Sequence, residues 1–109
     1  MAQSVAIFTE ADNGKSVELR VGDSVALRLY ENAATGYRWS FEQLDPAAVD
    51  AREDGYTRQS DAIGSGGDMQ WTLEAKAPAT TQVKLKLWRS WEGDASVQKR
   101  FALTLRIRP

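Results

Sequence analysis

Acidic side chains stand at Asp45, Asp50, Glu53, Asp54, Asp61, Asp68, Glu92 and Asp94, scattered through the chain. Glycoside hydrolysis needs only two carboxylates facing one bond, but no spacing here pairs any two of them. The chain has no His and no Cys. That removes Ser-His-Asp triads, thiol nucleophiles, disulfides and the usual zinc sites. It also removes the side chain best suited to acid–base work near neutral pH. The densest glycine cluster is Gly64-Ser65-Gly66-Gly67. A phosphate-binding loop would need a following helix and a Lys-Ser/Thr or a third spaced glycine. Here Asp68-Met69-Gln70-Trp71 opens a strand instead, so the phosphate reading fails. The expectation is a non-enzyme with no cofactor and no metal.

Binding chemistry is better represented. Glu31-Asn32-Ala33-Ala34-Thr35-Gly36 lies between apolar runs that end at Tyr30 and resume at Tyr37. It reads as a wide turn, with Asn32 bonding its own backbone and Gly36 at a left-handed angle. Its side chains are small, so the same loop could enter a narrow cleft. The glycine cluster is equally a plain loop entering a strand and a backbone able to lie close against a partner. In Arg89-Ser90-Trp91 no apolar pattern buries Trp91. It either folds back over the end of the fold or stands exposed beside Arg89, a composition enriched at interface hot spots. Trp39 and Trp71 keep the core phase of their runs, whereas Trp88 falls out of phase with Val83, Leu85 and Leu87 and faces away from the core.

Strands must position these loops. Apolar residues alternate with polar ones at Val17-Leu19, Val25-Leu27-Leu29, Tyr37-Trp39-Phe41, Met69-Trp71-Leu73-Ala75, Val83-Leu85-Leu87 and Phe101-Leu103-Leu105-Ile107. Such period-two runs are strands with one buried and one wet face. A further strand is expected around Val5-Ala6-Ile7-Phe8. Asp12-Asn13-Gly14-Lys15 carries the Asn-Gly signal of a hairpin turn, and Val21-Gly22-Asp23-Ser24 makes a tight link. Asp45-Pro46-Ala47-Ala48-Val49 suits a single helical turn capped by Asp45. No segment offers three turns of helical periodicity.

The chain has 109 residues, 42% hydrophobic and 27% charged. That suits one domain, residues 1–109, with one core. Seven or eight short strands in this length predict an all-β, immunoglobulin-like antiparallel β-sandwich. The loops after alternate strands then fall at one end, where binding function usually resides. Fourteen basic residues against fifteen acidic ones argue against a polyphosphate surface, so no nucleic acid is expected. No apolar run approaches a membrane span.

In order and spacing, Asn32-Ala33-Ala34-Thr35-Gly36-Tyr37, Gly64-Ser65-Gly66-Gly67 and Arg89-Ser90-Trp91 resemble the three loop motifs of the chagasin-type inhibitors of cysteine peptidases. The family forms are Asn-Pro-Thr-Thr-Gly-Tyr/Phe, Gly-x-Gly-Gly and Arg-Pro-Trp. The resemblance implies a sandwich, monomeric when free, that reversibly blocks a papain-like cysteine peptidase with a three-loop wedge. It places the Thr35 loop across the catalytic cysteine, the glycine loop along one side of the cleft, and Trp91 against aromatic residues on the other. Arg89 has a bracing role open to it, through backbone carbonyls. Ala33, Ala34 and Ser90 stand where the family has Pro, Thr and Pro. Loss of a compatible Pro loosens a loop by about 0.4–1 kcal/mol. Loss of one hydroxyl removes a hydrogen bond worth about 0.5–1.5 kcal/mol. The resemblance therefore implies inhibition weaker or more selective than the full pattern gives.

The alternative is a carbohydrate- or protein-binding module that uses exposed Trp88 and Trp91 as a platform. No export signal is visible. Met1-Ala2-Gln3-Ser4 fits a cytoplasmic start, and family resemblance implies a periplasmic or secreted location if a signal has been removed.

Overall fold

Each alternating run forms the strand its pattern demands. The computed structural model describes residues 6–58 and 66–109, so Val5 of the first expected strand lies outside the described residues. Within them lie β1 (Ala6–Phe8), β2 (Ser16–Arg20), β3 (Ser24–Glu31), β4 (Arg38–Gln43), β5 (Val49–Arg58), β6 (Gly67–Ala75), β7 (Ala79–Trp88) and β8 (Lys99–Arg108). They form two four-stranded sheets, ordered β1-β3-β6-β5 and β2-β8-β7-β4. The inward residues of both make one core that includes Leu27, Leu29, Leu73, Leu85, Phe101, Leu103 and Leu105. Trp39 and Trp71 belong to it, as their phase requires. Phe41 meets Trp71 edge-on across the two sheets, with ring centroids 5.9 Å apart.

The sheets are mixed rather than purely antiparallel. β1 runs parallel to β3 and β2 parallel to β8, while the remaining pairs are antiparallel. The cause is parity. The chain reverses at every connection, so odd strands run one way and even strands the other. β1 lies beside β3 and β2 beside β8, and strands of equal parity can only pair in parallel. By the same rule, the connections after β1, β3, β5 and β7 all leave from one end of the sandwich.

The hairpin expected at Asp12-Asn13-Gly14-Lys15 does not form, because β1 and β2 belong to different sheets. A primed hairpin turn needs positive φ at both central residues. Asn13 has φ −54° and ψ 128°, and only Gly14 is positive, at +86°. That is a type II turn, closed by the Lys15 amide donating to Asp12 O at 3.0 Å. Asn13 is used otherwise: its Oδ1 accepts from the Ala102 amide at 2.8 Å, which docks the turn on β8.

The Asp45 turn forms as expected. The Val49 amide donates to Asp45 O at 3.0 Å, and the Ala47 amide to Asp45 Oδ1 at 3.0 Å. β5, which follows, has no clear alternation, because a bulge between Glu53 and Gly55 shifts its register. The extra residue breaks the period of two and turns Tyr56 toward the opening between the sheets.

Candidate functional site

The β3–β4 loop is closed by its own side chains. Asn32 Oδ1 accepts from the Ala34 amide at 3.1 Å. The Thr35 hydroxyl donates to Asn32 O at 2.7 Å and accepts from the Tyr37 amide at 3.3 Å. Residues Ala33–Thr35 thereby form one 3-10 turn, and Gly36 leaves it with φ +81°. The Asn32 and Gly36 roles expected of a wide turn are both present. They shape a small-residue tip closed by its own hydrogen bonds.

The β7–β8 loop is fastened to that tip. Arg89 forks onto Thr35 O, with Nε at 3.1 Å and Nη2 at 2.9 Å. Its remaining nitrogen, Nη1, donates to Glu92 at 3.2 Å. The guanidinium lies 4.4 Å from the Tyr37 ring centroid, a cation–π contact. Arg89 thus braces the neighbouring loop through a backbone carbonyl. Ser90–Glu92 forms a 3-10 turn that lifts Trp91 to the surface, 71% exposed. The indole nevertheless rests on Gly36, where a β-carbon would come within 2.8 Å of Trp91 Cη2. Of the two readings of Trp91, exposure at the loop end is the one realised.

Further back, the Ser96 hydroxyl accepts from the Arg89 amide at 3.0 Å. Asp94 accepts from Lys86 Nζ at 2.8 Å. That bond and the ammonium charge hold the Asp94 carboxyl below the ordinary value of 3.8.

Of the glycine segment, Gly64 and Ser65 lie outside the described residues. Gly66 and Gly67 are buried, and Gly67 pairs with both Glu31 and Arg58. The structure therefore joins 32–37 to 89–91 directly and roots Gly67 beside the start of the first loop.

Sequence reasoning missed three residues at this root. Glu31 is 3% exposed and accepts from the Trp39 amide at 2.8 Å. Its signal was the unbroken inward phase Val25, Leu27, Leu29, Glu31. Tyr56 donates its hydroxyl to Glu31 O at 3.2 Å, hidden by the bulge in β5. Tyr30 packs on Gly66, and its outward phase gave no hint of that contact. A lateral cleft of about 630 Å³ opens here between β4 and β5, lined in part by Glu31, Arg38, Glu53 and Tyr56.

Of the two rings the platform alternative needs, Trp88 is partly covered. Trp88 faces away from the core, but Lys86 Nζ lies 3.6 Å from its ring centroid. Its Nε1 donates to Ser40 at 3.1 Å. One face of the indole is thereby occupied by the Lys86 ammonium.

Comparison with known proteins bears on the family and the fold. Residues 18–105 match the model of the chagasin family peptidase inhibitor I42. Chagasin from Trypanosoma cruzi is 28% identical over 103 residues, covering 90% of this chain and 94% of that protein. The fold is similar to that of the cysteine protease inhibitor EhICP2 from Entamoeba histolytica, with a TM-score of 0.85 at 21% identity, over 95% of this chain and 96% of that one. PbICP-C, solved in complex with falcipain-2, superposes with a TM-score of 0.66 at 12% identity, over 99% of this chain and 94% of that one.

Proposed function

The chain belongs to the chagasin family of peptidase inhibitors, and on that premise we propose that it inhibits papain-like cysteine peptidases by reversible, non-covalent occlusion of the active-site cleft. The observation behind this reading is the lock between the first and third motifs. Arg89 holds Thr35 O, and exposed Trp91 rests on Gly36.

The chemistry follows from what the wedge presents. A papain-like cleft carries a thiolate beside a protonated histidine. Against it stand backbone, methyl groups and one hydroxyl. That hydroxyl's one proton is committed to Asn32 O, and its oxygen also accepts from the Tyr37 amide, so it has no proton to donate to the enzyme's reacting atoms. Cleavage needs the scissile peptide in a near-attack geometry. The 3-10 turn at Ala33–Thr35, clamped from outside by Arg89, resists being drawn into it. Residues 32–37 fill the centre, 64–67 line one side, and Arg89-Ser90-Trp91 anchor the other.

Pre-organisation answers the missing prolines. Ala33 and Ser90 free the backbone, but the Asn32 and Thr35 bonds and the Arg89 fork restore order without them. An inhibitor of this kind buries on the order of 1,600 Å² in total with its target.

The test is a titration of papain or a cathepsin-L-like enzyme, read by hydrolysis of a fluorogenic peptide. Stoichiometric loss of activity, recovered on dilution with the chain uncut, is the expected result. No inhibition by a large molar excess, across several papain-like enzymes, would overturn the reading.

A further inference from the structure

Among the described residues, two aromatic–glycine contacts stand at the loop end, and one of them has a motif residue on both sides. Trp91 on Gly36 joins the first and third motifs. The other is Tyr30 on Gly66, and Tyr30 lies outside all three.

Tyr30 is the penultimate residue of β3, 39% exposed on the outer face of its sheet. It sits opposite Asp68, and its ring leans along β6 toward Gly66. A β-carbon at Gly66 would fall inside that ring, on its hydroxyl end. The ring therefore covers the Gly66 backbone as a flat lid, a diagonal cross-strand contact that only glycine permits. The same residue is fixed from the other side, because its carbonyl accepts from Trp39 Nε1 at 2.8 Å. Trp39 stands at the exit of the β3–β4 loop. Tyr30 is thus tied at once to the frame of the first loop and to the chain leaving the second.

We propose that Tyr30 is a positioning residue of the inhibitory surface, fixing Gly66-Gly67 relative to the Asn32–Tyr37 loop. The proposal rests on the inhibitor reading above. Nothing about the role requires Tyr30 to touch the peptidase; it acts through Gly66. A wedge of separate loops gains affinity when the loops are held at their bound spacing before encounter.

The experiment is a double-mutant cycle on the full chain, reading the inhibition constant against papain. The variants are Tyr30→Phe, Tyr30→Ala, Tyr30→Leu, Gly66→Ala and the Tyr30→Ala/Gly66→Ala pair. Thermal melting and amide exchange at Gly67 are read alongside. Tyr30→Phe keeps the flat ring and should inhibit within about twofold of wild type. Tyr30→Ala and Tyr30→Leu should each weaken inhibition about tenfold and speed Gly67 exchange, with melting little changed. Gly66→Ala should weaken inhibition about tenfold or more in the parent but add less than about threefold in the Tyr30→Ala background, where the ring no longer blocks its β-carbon. That sub-additivity is a result a merely stabilising tyrosine would not give. Unchanged inhibition in Tyr30→Ala and Tyr30→Leu, or fully additive losses in the pair, would overturn this inference alone. Failure of the wild-type chain to inhibit would overturn the inhibitor reading and this inference with it.

Discussion

At the scale of single residues, Trp91 and Thr35 divide the work. Trp91 is 71% exposed and contributes little to folding, so its energy is available to a partner. Trp91→Ala should cost at least about 2 kcal/mol of binding, roughly thirtyfold in the inhibition constant, as hot-spot tryptophans do. Its melting temperature should stay near wild type. A variant that inhibits as well as the parent would remove Trp91 from the binding surface. Thr35 contributes differently, since its hydroxyl and carbonyl both point into the fold's own bonds. What it offers outward is shape.

At the scale of elements, the two joined loops act as one piece because a guanidinium spans them. Arg89 reaches Thr35 O with two nitrogens and Glu92 with a third. A lysine cannot reproduce that fork. Arg89→Lys should therefore weaken inhibition by about 1–2 kcal/mol while leaving the sheets intact. Comparing inhibition constants with melting curves checks it, and equal inhibition by the lysine variant would show that the fork is dispensable.

The base of the same loop is held by Lys86 and Asp94, 2.8 Å apart. Asp94 is lowered in the fold, first by its bond from Lys86 and then by that residue's charge. With the folded value below the unfolded one, the contribution is complete above the ordinary 3.8 and is lost as pH falls through the lower folded value. Asp94→Asn should accordingly be less stable than wild type at neutral pH. The gap should close as pH drops below that range, and a gap constant down to acid would contradict the linkage. The pair is solvent-exposed on the Asp94 side, so the effect is small and weakens with salt.

At the scale of the whole molecule, the binding end is only as rigid as the sandwich behind it. Leu103 on β8 is fully buried, far from any loop motif in sequence. Leu103→Ala should cost about 2–5 kcal/mol of folding stability, measured by chemical denaturation. Where the variant remains folded, its inhibition constant should barely move. A large loss of affinity without loss of stability would mean that the core tunes the loops directly. The parity of the strands explains why so small a chain can group its loops: a chain that reverses at each step delivers every second connection to the same end.

The strands and the three motifs were legible in the sequence because both are local patterns. Period-two burial is written residue by residue, and Asn-x-x-Thr-Gly, the glycine cluster and Arg-x-Trp each sit within a few positions. Even the Asx-type closure at Asn32 and the positive φ at Gly36 follow from short-range chemistry. Four things did not follow. β5 was hidden because its bulge breaks the alternation, and the Asn-Gly turn took type II because β1 and β2 belong to different sheets. The parallel edge pairs depended on which strands became neighbours. The Arg89–Thr35, Trp91–Gly36 and Tyr30–Gly66 contacts join residues far apart in the chain, so no local window contains both partners. Local patterning settles which residues can form the loops and the sheets. Which loop is held against which is settled by packing, because it depends on side chains meeting across strands whose order no periodicity encodes.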